Sequence, residues 1–188
     1  SSSPWTMNGA LDISGGTFTA PAGTLNLAGN YTNTGGTFTH NSGAMSLNGS
    51  SQQTLAGTLS GSSAFNNLTV TNSSGSETTP SVVVSATSTA ATSTLATASS
   101  SVRFLAGTTH TFTNVNWAGN ATNRVMLRSS ASGTPWRLTV PSATNATVTY
   151  VDVRDSDASN GDPIPGADGT NVNSGGNSNW GTDHRPAK

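Results

Sequence analysis

Short alternations of apolar and polar residues recur between glycine turns along the first 75 residues. Leu11-Asp12-Ile13, Leu25-Asn26-Leu27 and Met45-Ser46-Leu47 each place two apolar side chains on one face of a short strand. Between them, Thr-Phe-Thr follows Gly-Gly at residues 15–19 and again at 35–39. We expect each Phe of these triplets to point inward and both threonines to point outward. A pattern that returns after about 20 residues predicts the stacked coils of a β-solenoid.

The spacing of the three alternations is uneven, and it predicts coils of variable length. The first two copies start 14 residues apart and the last two 20 apart, with a strand-like stretch at 30–34 in the longer interval. A β-helix tolerates coils that gain or lose a short face. At about 20 residues per coil, we expect roughly nine coils, each rising about 4.8 Å.

Strand signals continue beyond residue 57 although the period decays, and no helical pattern is present. Residues 85–101, rich in Ala, Ser and Thr, fit a strand of small residues or a loop. We therefore predict an all-β fold, a single-stranded parallel β-helix with short irregular coils, as one elongated unit over residues 1–188. Its parts are regular repeats in 1–75, less regular coils in 76–145 and an acidic, Gly- and Asn-rich closing segment in 146–188.

Particular motifs in both halves are similar to those of a known group of proteins. They are Gly-Gly-Thr-Phe-Thr, the Asn-Ser-Gly turn at 41–43, Phe-Asn-Asn-Leu-Thr-Val at 65–70, Val-Asp-Val-Arg-Asp-Ser-Asp-Ala at 151–158 and Ser-Gly-Gly-Asn-Ser-Asn-Trp at 174–180. The chain resembles the repeats of large bacterial and metagenomic extracellular β-helix proteins. This resemblance implies a right-handed parallel β-helix in an adhesive or filamentous cell-surface protein, and it implies no enzymatic activity.

Charge is scarce and unevenly distributed, which argues against several partners. Charged residues make up 8% of the chain, against roughly 25% in an average soluble domain. No Lys or Arg precedes Arg103, and the seven basic residues form no cluster in the sequence. We therefore expect neither nucleic-acid binding, which needs several cations on one face, nor membrane insertion.

The composition also predicts where the protein acts. There is no cysteine, so no disulfide framework or cysteine-based zinc site exists. The Ser-, Thr- and Asn-rich, Lys-poor composition favours an extracellular or cell-surface location. The chain begins Ser-Ser-Ser-Pro with neither a start methionine nor a signal peptide, so we expect a processed protein or part of a longer one.

The acidic residues concentrate near the C-terminus, where calcium is the cofactor to consider. Six of the eight acids lie in the last 37 residues, and Asp152, Asp155, Asp157 and Asp162 are the candidate calcium ligands. The segment lacks the twelfth-position Glu of an EF-hand loop, and a solvated loop with Asx turns is the alternative. Otherwise we expect no cofactor.

Catalysis is not expected. The repeat half cannot supply a pair of catalytic carboxylates, and only Asp152, Asp155 and Asp157 lie close together elsewhere. His40, His110 and His184 are far apart in the sequence. We therefore predict that the protein is not an enzyme.

Strand-like sequence begins almost at the first residue, and this observation favours self-assembly. Neither end of the sequence offers a polar capping helix. We therefore expect a non-catalytic structural subunit of an extracellular bacterial fibre or surface layer, joined head to tail to copies of itself through open coil ends or a terminal strand. The residues expected at that interface are Trp5, Met7, Leu11, Ile13 and Trp180.

Two alternatives remain open at this stage. In the first, the chain is an adhesin or glycan-binding module of a larger surface protein, with exposed Trp117, Trp136 or Trp180 stacking on sugars. In the second, outward Thr-x-Thr pairs at 17/19, 37/39, 69/71, 111/113 and 147/149 form an ice-binding face.

Overall fold

The protein is an all-β solenoid. The computed structural model describes residues 2–166 and 169–181, together with the backbone of Arg185 and Pro186. It is 48% strand, with parallel sheets stacked in about 7 turns. The predicted fold class is therefore confirmed. Within the described residues the helical turns are two short 3-10 segments, Gly61–Ser63 and Ala143–Asn145.

The strands are short because glycine-containing turns interrupt the chain every few residues. In chain order they are β1 (Trp5–Met7), β2 (Leu11–Ile13), β3 (Thr17–Thr19), β4 (Thr24–Leu27), β5 (Tyr31–Asn33), β6 (Thr37–Thr39), β7 (Ala44–Leu47), β8 (Gln53–Gly57), β9 (Phe65–Val70), β10 (Val82–Val84), β11 (Ser88–Leu95), β12 (Ser101–Phe104), β13 (Thr109–Ala118), β14 (Val125–Ser129), β15 (Trp136–Thr139), β16 (Ala146–Thr149), β17 (Val151–Val153), β18 (Ser156–Asp157), β19 (Val172–Asn173) and β20 (Arg185–Pro186).

Successive coils stack these strands into three parallel sheets. Sheet A runs β1-β4-β7-β9-β11-β13-β15-β18, with β16 also on β13, and sheet B runs β2-β5-β8-β10-β12-β14-β17-β19-β20. Sheet C contains only β3 and β6. The first two coils are therefore three-sided, whereas later coils are built mainly from sheets A and B.

Coil length increases along the chain, which corrects the expected number of coils. Leu25 pairs with Met45, twenty residues on, and Phe18 pairs with Phe38 at the same interval. Later partners are farther apart, as in Gln53 with Val82. The estimate of nine coils was wrong because turns between strands lengthen after residue 48, so the chain completes about 7 turns.

The first apolar alternation belongs to a different side of the coil from the other two. Leu11-Asp12-Ile13 lies in sheet B and pairs with Tyr31–Asn33, whereas Trp5–Met7 is the strand that stacks under β4. The 14-residue interval therefore joins two sides of the solenoid rather than two equivalent copies. Each side has one face toward the core and one toward solvent, so the same alternation arises on all of them.

A column of aromatic rings fills the N-terminal part of the core. Phe18 and Phe38 stack with centroids 6.2 Å apart and planes 10° apart, and Phe38 then contacts Phe65 at 5.5 Å. Tyr31 packs its edge against both Phe38 and Phe65. The flanking threonines lie outside, as expected from the Thr-Phe-Thr pattern. Burial raises the pKa of Tyr31 to about 12.

The ambiguous stretch at 85–101 forms a central strand of sheet A. Ser88, Ala90, Ser93 and Leu95 of β11 all point inward. Their small side chains leave room for the large ring of Trp117 on the next coil, whose Nε1 donates to Ser93 Oγ at 3.1 Å. Small residues here serve packing between coils.

The two Phe residues of the repeated triplet provide a matched test of the stacked core. Phe38 lies fully inside the column, whereas Phe18 is half-buried on the first coil. We expect Phe38→Ala to lower the free energy of unfolding by about 3–5 kcal/mol and Phe18→Ala by less than half as much. Urea denaturation followed by circular dichroism measures both, and equal losses would contradict the stacking order.

Candidate functional site

A long corner loop covers the outer face of sheet B. Residues 71–81, between β9 and β10, fold back along the solenoid axis, and we refer to them as the strap. Asn72 anchors its base, since its Nδ2 donates to the carbonyls of Ser51 at 2.7 Å and Ser81 at 3.3 Å. Gly75 lies so close to Ser81 that a Cβ atom would meet its backbone nitrogen at 2.0 Å. The loop therefore has a defined shape.

Three arginines line up beneath the strap on successive coils. Arg103 and Arg128 are register partners on β12 and β14, and Arg154 follows Val153, the partner of Leu127. Arg103 Nη2 donates to the strap carbonyls of Glu77 at 2.8 Å and Thr78 at 3.1 Å. Three cations stacked at coil spacing repel one another, so nearby anions are needed to stabilise the row.

Glu77 and Asp152 supply that compensation. Glu77 Oε1 accepts from Arg128 Nε at 3.2 Å and pairs with Arg154 Nη1 at 3.0 Å. Asp152 binds the guanidinium of Arg128 as a fork, with Nη1–Oδ1 and Nη2–Oδ2 both at 3.0 Å. Arg128 is only 3% exposed, and such a buried ion remains stable when all its partners are in place.

An open cleft of about 410 Å³ lies beside this charged row. Its walls come from the strap and from the corner loops of the next two coils, and its floor is sheet B. The lining residues are 75–77, Ser99, residues 122–124, Met126 and Asp152. Almost all of these side chains are polar or charged, so the cleft suits a hydrophilic molecule.

The four candidate calcium ligands do not converge. Asp152 is paired with Arg128 on sheet B, while Asp157 lies on β18 of sheet A. Asp155 is buried, with Oδ2 3.8 Å from Arg154 Nε, and Asp162 Oδ2 accepts from the backbone of Ala143 at 3.1 Å. Among the described residues, no three His, Cys, Asp or Glu side chains are grouped as a metal ion requires. Asp168 and Asp183 lie outside the described residues.

Asp157 belongs to a local turn. The Ser159 hydroxyl and then the Ser159 backbone N–H hold the pKa of Asp157 below its usual value, with Arg137 contributing less. This arrangement is the Asx turn that the sequence offered as the alternative to calcium.

The residues expected at an assembly interface differ in exposure. Trp5 is 43% exposed and Met7 is half-buried, whereas Leu11 and Ile13 point into the core. Trp180 is half-buried at the other end, where it stacks on Trp117 at 6.4 Å and donates to Ser156 Oγ at 3.0 Å.

The tryptophans proposed to stack on sugars are mostly inaccessible. Trp117 and Trp136 are both fully buried, so the expectation that they are exposed was wrong. Trp136 stacks on Phe104 with centroids 4.2 Å apart. In a solenoid, the inward face of every strand requires large side chains to fill the space between coils.

The Thr-x-Thr pairs do not form one array. Those at 17/19 and 37/39 stack directly on sheet C, which ends there. The other three lie on sheet A, where Thr69 pairs with Thr94, Thr111 with Thr139, and Thr147 with Asn116. They therefore occupy different columns.

Sequence reasoning missed the charged row. It treated the arginines as scattered, whereas Arg103, Arg128 and Arg154 are brought together by coils of 25 and 26 residues. That spacing, together with the isolated Glu77 in an otherwise almost uncharged half, was the available signal.

Comparison of the chain with protein-family models, with curated proteins and with solved structures finds no match in any of the three. In the part of the chain that the structure describes, no helix has the length and hydrophobicity needed to cross a membrane.

His110 is a second buried polar group, inside the core between sheets A and B. Its Nδ1 lies 2.8 Å from Ser88 Oγ and its Nε2 lies 2.8 Å from Thr108 Oγ1. Phe104 and Trp136 pack around the ring. Burial lowers the pKa of His110 from 6.5 to about 3.

The buried histidine predicts a loss of stability in mild acid. Below pH 6.5 the unfolded chain binds a proton at His110 that the folded chain refuses until about pH 3. The free energy of unfolding should therefore fall by about 2 kcal/mol between pH 7.5 and 5. Urea titrations at each pH measure this loss. His110→Gln should abolish it, while His40→Gln, in a surface turn, should retain it; the same loss in His110→Gln would refute the assignment.

The paired carboxylate beneath the strap has a matched control on the same sheet face. Asp152→Asn leaves the buried Arg128 with one anionic partner, and we expect a loss of about 2–3 kcal/mol in unfolding free energy. Asp12→Asn changes an exposed acid on β2 and should stay within about 0.5 kcal/mol. Thermal and urea unfolding of both variants check this difference, and similar values would show that the buried pair adds nothing.

Proposed function

We propose that the chain is a non-catalytic structural subunit of an extracellular bacterial fibre or surface layer, assembling head to tail with copies of itself. The observation that carries this proposal is the open edge of the first coil. Strands β1, β2 and β3 each pair on one side only, with β4, β5 and β6. Within the described residues, no strand covers their other side.

An open coil edge exposes a row of backbone donors and acceptors. These groups pair readily with a further strand, and monomeric proteins usually block such edges with charges, proline or a cap. Asp12 is the one charged residue on β1–β3, and its side chain points outward from the sheet rather than along the edge. The edge is therefore suited to receive another coil.

The side chains at this end support the same conclusion. Trp5 is 43% exposed, and Met7 and Phe18 are only partly buried against the core. Another coil stacked here would cover these three side chains and extend the aromatic column by one layer. Leu11 and Ile13 are already buried, so their contribution would come through the backbone edge of β2.

The opposite end offers a compatible surface. Its last described coil runs parallel to all earlier ones, through the pair β17–β19 and the bridge between Ile164 and Trp180. A copy placed on it would continue the ladder in the same direction. Such a contact joins two different surfaces of the subunit, and when it does not close into a ring it generates filaments.

The composition fits an exposed, durable material. A trypsin-like protease finds no Lys or Arg before Arg103. The resemblance to bacterial extracellular β-helix repeats supports the same setting.

A charge at the open edge should prevent assembly. Trp5 and Leu105 are the two exposed large hydrophobic residues of the described chain, at 43% and 41%, and Leu105 lies in a side turn between β12 and β13. Trp5→Lys places a cation on the edge strand, so we expect monomers, while Leu105→Lys should assemble like the unaltered chain. Electron microscopy and sedimentation velocity distinguish filaments from monomers.

Deletion of residues 1–13 removes β1 and β2 and should likewise abolish filaments. The proposal is overturned if the unaltered chain stays monomeric at high concentration, since the edge would then be covered only by other parts of a longer protein. Filaments that persist in Trp5→Lys would instead reject the proposed interface.

A further inference from the structure

The cleft beside the arginine row has the dimensions of a small-molecule site. Its volume is about 410 Å³, and ligand pockets typically measure about 300–1,000 Å³. The strap that forms one wall is held by the buried side chain of Asn72 and by Arg103, so the wall is present before any ligand arrives. Such preorganisation reduces the cost of binding.

The cleft presents hydrogen-bond acceptors that are already fixed in place. Arg128, beneath the cleft, binds the carboxylates of both Glu77 and Asp152. Both contacts to Glu77 reach Oε1, and no described residue contacts its second oxygen, Oε2. Glu77 is half-exposed, so this oxygen can accept a hydrogen bond from a molecule in the cleft.

A donor belongs to the same lining. Arg124 uses Nε and Nη2 for one backbone carbonyl, that of Thr170, at 3.4 and 3.3 Å. These are long hydrogen bonds, and a guanidinium carries five N–H donors. The remaining N–H groups of Arg124 are therefore available to a ligand. Hydroxyl and amide groups of Ser76, Ser99, Thr122 and Asn123 extend the polar lining.

The charges select the chemical class of this ligand. An anion would be repelled by Glu77 and Asp152, and a simple cation by Arg124 and Arg128. A sugar hydroxyl both donates and accepts, so adjacent hydroxyls can donate to Glu77 and accept from Arg124 without adding charge. We propose that the cleft binds a neutral saccharide.

This proposal goes beyond assembly, because the cleft lies on the side of the solenoid and needs no second copy. Its lining contains no aromatic ring, and Met126 is the one large apolar side chain in it. Without a stacking platform the affinity rests on hydrogen bonds that compete with water, so we expect a Kd on the order of 1 mM.

Saturation-transfer NMR with the full chain tests the ligand class. The neutral probes are cellotetraose, mannotetraose and chitotetraose, and the charged comparisons are tetragalacturonate and the amino acids glycine and lysine. We expect transfer to at least one neutral probe and none to the charged molecules. The proposal is overturned if no neutral probe binds, or if a charged molecule binds more tightly than every neutral one.

Paired arginine variants test the location. Arg124→Gln should weaken binding of the neutral probe at least tenfold, whereas Arg137→Gln, an exposed arginine on sheet A that donates to Gly107, should leave the affinity unchanged. Thr122→Trp should block the cleft without altering the ion pairs. Calorimetry gives the affinities, and circular dichroism confirms folding. Binding that survives both Arg124→Gln and Thr122→Trp would place the saccharide elsewhere and reject the site.

Discussion

The parallel hydrogen-bond ladder between successive coils is the constraint on which the rest of this structure depends. Each strand must lie directly over a strand of the previous coil, in a register that keeps its inward residues inward. Similar side chains consequently stack along the solenoid axis. The column of Phe18, Phe38 and Phe65 arises in this way inside the solenoid, and the row of Arg103, Arg128 and Arg154 arises outside it.

The two rows have opposite energetic consequences. Stacked aromatic rings gain from burial and from mutual contact, so the inner column needs no further partner. Stacked guanidinium groups repel, and the outer row is stable only because a loop two coils earlier supplies Glu77 and a later strand supplies Asp152. The strap is therefore both the compensation for an unfavourable row and the wall of the cleft beside it.

The sequence predicted the solenoid because its evidence is local. Thr-Phe-Thr after Gly-Gly specifies an inward ring and a turn, and both appear as expected. It did not predict the number of turns, since insertions such as residues 71–81 lengthen a coil without changing the strand pattern around it. It also assigned Leu11-Asp12-Ile13 to the wrong side, because every side of the coil shows the same alternation.

The charged site depended on information that no local pattern contains. Glu77 and Arg154 lie 77 positions apart, and they meet because three coil lengths happen to bring the strap over the later strands. Likewise, only the stacked structure shows that Trp117 and Trp136 fill the core. A lone acid and arginines at near-coil intervals become informative once the coil lengths are known.

The strap also changes how the solenoid behaves as a chain of coils. A solenoid coil ordinarily contacts only its immediate neighbours, so coils can separate one at a time from either end. Contacts from residues 77–78 reach Arg103, Arg128 and Arg154, on three successive coils. The loop thus acts as a noncovalent staple, and under a force along the axis these middle coils should yield together as one mechanical unit.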